Sequence, residues 1–289
     1  MNNDAAAAPG VAQVPTLAQF GFPVALVVTS GGRTILSAGR VTEVFPFASV
    51  TKPIVAWSAL VAVERGLLRL DDPVGGPSSP LGEATVRHLL AHASGLAFDG
   101  PAPDGTELLR AVPGVRRIYS NRGIEVLGER LEAATATPLE AWVEQTVLEP
   151  LGMASVMVPG SPAHSGEGNA EDLARFAQEL AAPTLVSAAL AREACQVVFP
   201  ELDGVVPGYG MHRPNDFGLG VEVRGSKHPH WTGSGNSPQT FGHFGQAGSF
   251  LWVDPVAGRQ AVFLGAQPFA EVHRRLWPAL NDEVLALAG

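Results

Sequence analysis

Pro53 heads a nearly unbroken apolar run, Ile54-Val-Ala-Trp-Ser-Ala-Leu-Val-Ala-Val63, which Glu64, Arg65 and Gly66 bring to a close. The run has helix length and no polar side, so it predicts a buried helix. Proline is accepted only in the first helical turn, because deeper in it deletes a backbone hydrogen bond and collides with the preceding turn. The helix therefore starts at or just ahead of Pro53, and the fold has to cover it all round.

The residues leading into this helix read Ser49-Val50-Thr51-Lys52, in a chain with two lysines against seventeen arginines. Ser49 falls at the helix N-terminus, where the first N–H groups lack partners and the positive end of the macrodipole favours negative charge. A spacing of three puts Lys52 on the same face. A serine hydroxyl is a weak nucleophile, and a lysine whose ammonium is destabilised by burial can take its proton. The same four residues also suit an N-cap serine followed by a solvated lysine. Alone, the tetrapeptide leaves both readings open.

At 289 residues, 46% apolar and a mean hydropathy of +0.15, the chain can bury one large core or two smaller ones. No apolar stretch reaches the roughly 18 residues of a membrane span. A net charge of −9 without a basic cluster argues against nucleic acid and anionic membranes, leaving a small molecule as the expected partner of a monomer. The N-terminal Met-Asn-Asn-Asp and four alanines have no basic n-region or leucine-rich core, and Cys195 is the lone cysteine. Both features predict a cytoplasmic, reducing setting. No His-Glu-x-x-His, cysteine cluster or Gly-x-Ser-x-Gly occurs, so neither a metal or other cofactor nor an α/β-hydrolase elbow is expected.

Along the chain, residues 1–15 read as a flexible tail. Val24–Thr29 and Thr34–Ala38 are β-prone runs around Ser30-Gly31-Gly32-Arg33, a hairpin pattern. Helical segments are predicted at Val86–Ala91, Arg122–Ala133, Leu139–Val147 and Ala170–Leu180. Strands return at Gly218–Val223, Phe241–Ala247, Phe250–Asp254 and Gln260–Ala266. A last helix carries Val272, Leu276, Leu280 and Val284 at intervals of four. Strands at both ends and helices between predict a sheet domain from 16–70 and 210–289, with a mainly helical domain at 71–209.

Tyr119, one of two tyrosines, opens Tyr119-Ser120-Asn121 in a loop feeding a helix. A phenol beside a lysine ammonium is expected to have its pKa pulled down, which suits a general base toward serine. Asn121 can hold the lysine and a substrate amide, or simply cap the helix. Gly242-His243-Phe244-Gly245-Gln246-Ala247-Gly248 is a glycine-punctuated strand, a pattern expected where a ligand or another backbone approaches closely. A Gln246 N–H paired with that of Ser49 would make an oxyanion hole. His243 alone reads as a satisfied strand histidine.

Taken in order, Ser-Val-Thr-Lys at 49–52, Tyr-Ser-Asn at 119–121 and His-Phe-Gly at 243–245 resemble the boxes of the serine β-lactamase and penicillin-binding-protein superfamily. The match is similar to the branch of class C β-lactamases, family VIII esterases and D,D-peptidases, and it spans about residues 20–285. His88-Leu-Leu-Ala-His92-Ala-Ser-Gly-Leu96 and Leu148-Glu-Pro-Leu-Gly-Met153 resemble scaffold segments of that branch. The resemblance implies an α+β fold with a central antiparallel sheet in an α/β/α sandwich plus a helical domain. It also implies Ser49 as acylated nucleophile, Lys52 and Tyr119 sharing the proton traffic, and Asn121 orienting substrate. His243, Gly245 and Gln246 would form the third box and oxyanion site. Histidine replaces the lysine usual in that box, and a neutral imidazole grips a substrate carboxylate less well. The expected activity is hydrolysis of small esters or amides through an acyl-enzyme. The alternatives are a true β-lactamase or D,D-carboxypeptidase, an acyltransferase of a biosynthetic pathway, and a silent binding module. Specificity is expected in loops near 98–117 and 203–240.

Overall fold

The computed structural model describes residues 13–76, 79 and 81–288. Strand β1 (Val24–Ser30) turns into β2 (Arg33–Gly39) through Gly31 and Gly32, both at positive φ. Two left-handed residues in a two-residue turn match the twist of an antiparallel pair, which is why glycine stands at both. Of the predicted tail, residues 1–12 lie outside the described residues, while Val14 is fully buried.

The main sheet is antiparallel, with strand order β2-β1-β10-β9-β8-β7, where β7 is Glu222–Val223, β8 Phe241–Gly245, β9 Ser249–Asp254 and β10 Arg259–Gly265. Both termini therefore build one sheet, joined by the β1–β10 pairing from Val24 opposite Gly265 to Ser30 opposite Arg259. Alternation along the strands sends Ala25, Val27, Leu251, Val253, Val262 and Leu264 to one face and Leu26, Val28, Phe250, Trp252 and Phe263 to the other. Each face packs against helices, which gives the α/β/α layering.

On the second face lies the C-terminal helix α7 (Glu271–Ala286), with Leu276, Leu280 and Val284 buried as their spacing predicts. Trp277 is fully buried among Phe244, Phe250, Phe263 and Phe269, and its indole N–H has no partner. Trp277→Ala should cost about 3–5 kcal/mol in urea unfolding, and Trp277→Phe less than about 1.5. The reverse ranking would contradict this packing.

The first face is covered by α5 (Ala170–Ala181), and in the same core lies α1 (Thr51–Glu64), buried without interruption from Thr51 to Ala62, as the opening run requires. Its far side is covered by α3 (Asn121–Thr135) and α4 (Leu139–Val143), with α2 (Val86–Leu90) packed on α3. The Trp57 indole N–H donates to Glu179 in α5 (Ala170–Ala181) at 3.0 Å.

Several elements differ from the sequence expectation. The helix predicted through Val147 changes at Glu144 into a wider turn over 144–148, where the Thr146 hydroxyl bonds back to the Trp142 carbonyl at 2.6 Å. The strand predicted from Gly218 shrinks to Glu222–Val223, because Gly218–Val221 forms a turn that presses Gly220 onto Ala56 of α1. The strand predicted to Ala247 stops at Gly245, where the Gly248 N–H closes the hairpin turn. Helix α6 (Ala188–Cys195) and a hairpin of β5 (Gly204–Val206) and β6 (Gly210–His212) were not foreseen. A small pair, β3 (Phe45–Pro46) with β4 (Glu167–Gly168), completes the strands among the described residues.

Candidate active site

Ser49 stands in a 3₁₀ turn, Ala48–Val50, that runs straight into α1, with Pro53 in the first turn of that helix. Ala48 just before it is held at a left-handed φ of 45°, an uncommon state for a residue with a side chain. Three contacts hold the turn in place. The Phe47 N–H donates to the Gly166 carbonyl at 2.7 Å, the Thr51 hydroxyl to the Ala48 carbonyl at 2.6 Å, and the Ser249 hydroxyl to the Phe47 carbonyl at 2.7 Å.

Lys52 is fully buried, and its Nζ reaches Ser49 Oγ at 3.1 Å, Asn121 Oδ1 at 2.8 Å and the Ala163 carbonyl at 2.9 Å. Burial pulls its pKa down to about 7, against the opposing pull of Glu125 and Asp99. A neutral amine keeps two hydrogens and one lone pair. With both carbonyl oxygens able only to accept, the lone pair is left to face the serine. The solvated-lysine reading is thereby excluded.

Tyr119 borders the same cleft as Ser49, with the Lys52 nitrogen 4.8 Å from its ring centroid. The expected lowering of its pKa is corrected by the structure. The phenol is half-buried, and the cost of placing a phenolate there pushes its pKa up, against a smaller lowering by its hydrogen bond with Ser49. Tyr119 is therefore a phenol across the physiological range, suited to donate a proton rather than to take one first.

His243 is buried in β8, its Nδ1 2.6 Å from the Phe244 carbonyl. A carbonyl only accepts, so Nδ1 carries the hydrogen and Nε2 presents a lone pair 3.5 Å from the Tyr119 hydroxyl. Desolvation and the neighbouring Lys52 lower its pKa to about 4, keeping the ring neutral.

The glycine pattern of β8 has a specific cause at Gly245. A Cβ there would sit 2.2 Å from the Phe47 carbonyl oxygen and 3.1 Å from the Ser49 nitrogen. Strand β8 thus closes directly onto the serine turn, and the approaching backbone is the protein's own. The N–H groups of Ser49 and Gln246 donate to no protein acceptor among the described residues, and both residues border one cleft. Phe98, Val206, Pro207, Phe217 and Phe244 give that cleft an apolar wall.

The structure brings together all seven predicted residues, Ser49, Lys52, Tyr119, Asn121, His243, Gly245 and Gln246. It also refines one of them, since one Asn121 amide hydrogen is bonded to Asp99 at 3.1 Å and the oxygen to Lys52. His88 and His92 act as scaffold. His88 Nδ1 accepts the Thr85 N–H at the start of α2, and buried His92 accepts the Ser120 N–H while its ring lies 4.6 Å from that of Tyr119. Sequence reasoning missed Arg117, whose buried guanidinium donates to the carbonyls of Ala91, Val198, Phe199 and Asn215 and so anchors the Tyr119 loop. It also missed Glu222, a charged residue in the cleft wall.

Sheet topology and layering define the class, a mixed α/β protein of the β-lactamase and transpeptidase type. A β-lactamase family model matches residues 5–285, and the chain belongs to the β-lactamase family. A β-lactamase of known structure from Mycobacterium bovis is 44% identical, with a TM-score of 0.88 over 95% of this chain and 98% of that one. EstCE1, described as a hydrolase with promiscuous acyltransferase activity, shares the fold at 19% identity and a TM-score of 0.76, over 95% of this chain and 97% of its own. Esterase EstB from Burkholderia gladioli is 36% identical over 152 residues, 39% of this chain and 38% of that protein. A Salmonella enteritidis protein provisionally named a D-alanyl-D-alanine carboxypeptidase is 28% identical over 216 residues, 60% of this chain and 49% of its own length. The chain spans less than half the length of these curated relatives.

Proposed function

We propose that the protein is a serine acyl hydrolase that cleaves small esters or amides through an acyl-enzyme on Ser49. The observation that carries this reading is the buried Lys52 amine, 3.1 Å from Ser49 Oγ with its hydrogens directed elsewhere and a pKa near 7. Lys52 accepts the Ser49 proton as Oγ bonds to the substrate carbonyl carbon. The oxygen of the tetrahedral intermediate takes the charge and meets the N–H groups of Ser49 and Gln246, which need no reorganisation to receive it. As the bond to the leaving group breaks, Tyr119 protonates the departing oxygen or nitrogen and regains a proton from the Lys52 ammonium. Water then attacks the ester carbonyl, its proton passes to Lys52, and the Lys52 ammonium returns that proton to Ser49 Oγ as the bond to the acyl carbon breaks and the carboxylic acid leaves.

The β-lactamase and D,D-carboxypeptidase alternatives need a grip on a substrate carboxylate. A neutral His243 supports the esterase reading over both, because it offers no positive charge. The Burkholderia relative, Esterase EstB, bears an esterase's name, which supports the same reading. We place the protein in the cytoplasm as a monomer acting on a small acyl substrate. The lone Cys195 supports this setting, and no helix among the described residues is long and apolar enough to cross a membrane.

The test compares a p-nitrophenyl ester with a chromogenic cephalosporin and labels the protein with a fluorophosphonate. Ester turnover with label on Ser49 is expected, and inertness to both substrates without label would sink the reading. A pH profile checks the base. Only neutral Lys52 accepts a proton, so kcat/KM should climb about tenfold per unit below pH 7 and level off above it. Activity that falls as pH rises through 7 would assign the base elsewhere.

A further inference from the structure

The second of the two lysines is as buried as the first. Lys227 has a fully covered side chain, and its ammonium lies 3.2 Å from Glu222 Oε1, while donating to the carbonyls of Asp216 at 2.7 Å and Val223. Glu222 is equally enclosed. It accepts the Trp231 indole N–H at 2.8 Å on Oε2 and faces His230 Nε2 at 3.2 Å on Oε1. His230 Nδ1 accepts the Thr232 N–H at 3.3 Å, so in the neutral ring the hydrogen sits on Nε2 and points at the carboxylate. Three donors converge on one carboxylate, which holds it ionised, its pKa well below the ordinary range despite burial.

The pair is oriented. Glu222 borders the cleft beside Phe217, His243 and Phe244, whereas Lys227 stands behind it and does not reach the cleft surface. Strand pairing sets this arrangement, because Glu222 in β7 lies opposite Gly242, next to His243 of the third box. Among the described residues no lysine or arginine lines the cleft, His243 is neutral, and Lys52 is about half neutral near pH 7. The end of this ion pair nearest the cleft is therefore the negative one, while the positive charge that Lys52 carries is confined to the Ser49 side. Ion pairs kept inside a protein add little stability over apolar residues of equal size, so stability alone gives weak reason for this one. Like charges brought together across an interface are a strong source of rejection.

We propose that Glu222 is the specificity-determining residue of the cleft. Its carboxylate, fixed from behind by Lys227, Trp231 and His230, rejects acyl donors bearing a carboxylate and leaves esters of uncharged, apolar acyl groups as the substrate class. Phe98, Phe217 and Phe244 supply the apolar surface for such a group. The inference rests on the acyl-enzyme reading above and adds to it the identity of the acyl group.

The experiment uses two esters of equal acyl length, p-nitrophenyl butyrate and mono-p-nitrophenyl succinate. Their kcat/KM ratio is measured for the wild type, Glu222→Gln and Glu222→Gln/Lys227→Met, with fluorophosphonate labelling of Ser49 in each. The wild type should prefer butyrate by about 100-fold, and the ratio should shrink by about tenfold or more in a variant that still labels. The double variant guards against a lysine left buried without its partner. A purely structural role for Glu222 would lower both rates together and leave the ratio fixed, which overturns the proposal. A wild-type ratio near one overturns it without any variant. Ser49 labelling without discrimination removes this inference alone, whereas absence of labelling removes the acyl-enzyme reading and this inference with it.

Discussion

Lys52→Met is expected to lower kcat/KM for a p-nitrophenyl ester by about 10³- to 10⁴-fold, with the protein still folded. Methionine has similar length and suits a buried site, so what is lost is the lone pair facing Ser49 Oγ, together with the donors to Asn121 and Ala163. Lys52→Arg separates charge from basicity. Guanidinium stays protonated at every accessible pH, so a base role predicts an equally inactive enzyme, while a purely electrostatic role predicts substantial recovery. Stopped-flow measurement of p-nitrophenol release reads the acylation step for each variant, with thermal unfolding as the check on integrity. Activity within tenfold of wild type in Lys52→Met would remove the lysine from the proton path.

Gly245→Ala is expected to lower kcat by about 10²- to 10³-fold, the scale of losing an oxyanion donor, and to cost about 1–3 kcal/mol of stability. The added methyl would meet the Phe47 carbonyl oxygen at 2.2 Å and Ser249 Oγ at 2.5 Å. The first of these is backbone and cannot rotate away, so β8 and the serine turn have to separate. Separation moves the Gln246 N–H relative to that of Ser49, and an oxyanion hole depends on that spacing. Gly21→Ala is the control, since a Cβ there meets nothing within 4 Å and its backbone is not left-handed. Loss of stability without loss of kcat in Gly245→Ala would mean that the two amides do not act together.

What could be read from the chain follows from how locally each feature is written. The burial of α1, its start near Pro53 and the shared face of Ser49 and Lys52 are set within one helix and its first turn, and the structure reproduces them. The stripe of α7 and the Gly31-Gly32 turn are local in the same way. The helix α6 lies between a serine cap and Cys195 with too few large apolar residues to mark a period. The β5–β6 hairpin has three-residue strands, below the length at which alternation can be recognised, yet it supplies Val206 and Pro207 to the cleft. The phenol of Tyr119 misled for a physical reason. Proximity to a lysine argues for a lowered pKa only while the phenol keeps its solvent, and the enclosure that removes it depends on distant segments such as Phe98 and Phe217. Lys227 carried a signal that could have been used. The scarcity that singled out Lys52 applies equally to it, and a rare lysine five residues after a glutamate in a glycine-rich segment marks a candidate buried pair.

The central claim is that Ser49 carries the acyl group during turnover. Mixing the protein with p-nitrophenyl butyrate, quenching in acid within milliseconds and mapping the adduct by mass spectrometry tests it directly. The account predicts one butyryl group on the peptide containing Ser49, formed with a burst of p-nitrophenol and absent from Ser49→Ala. Undiminished turnover by Ser49→Ala, or a butyryl group found on another residue of the wild type, would contradict it.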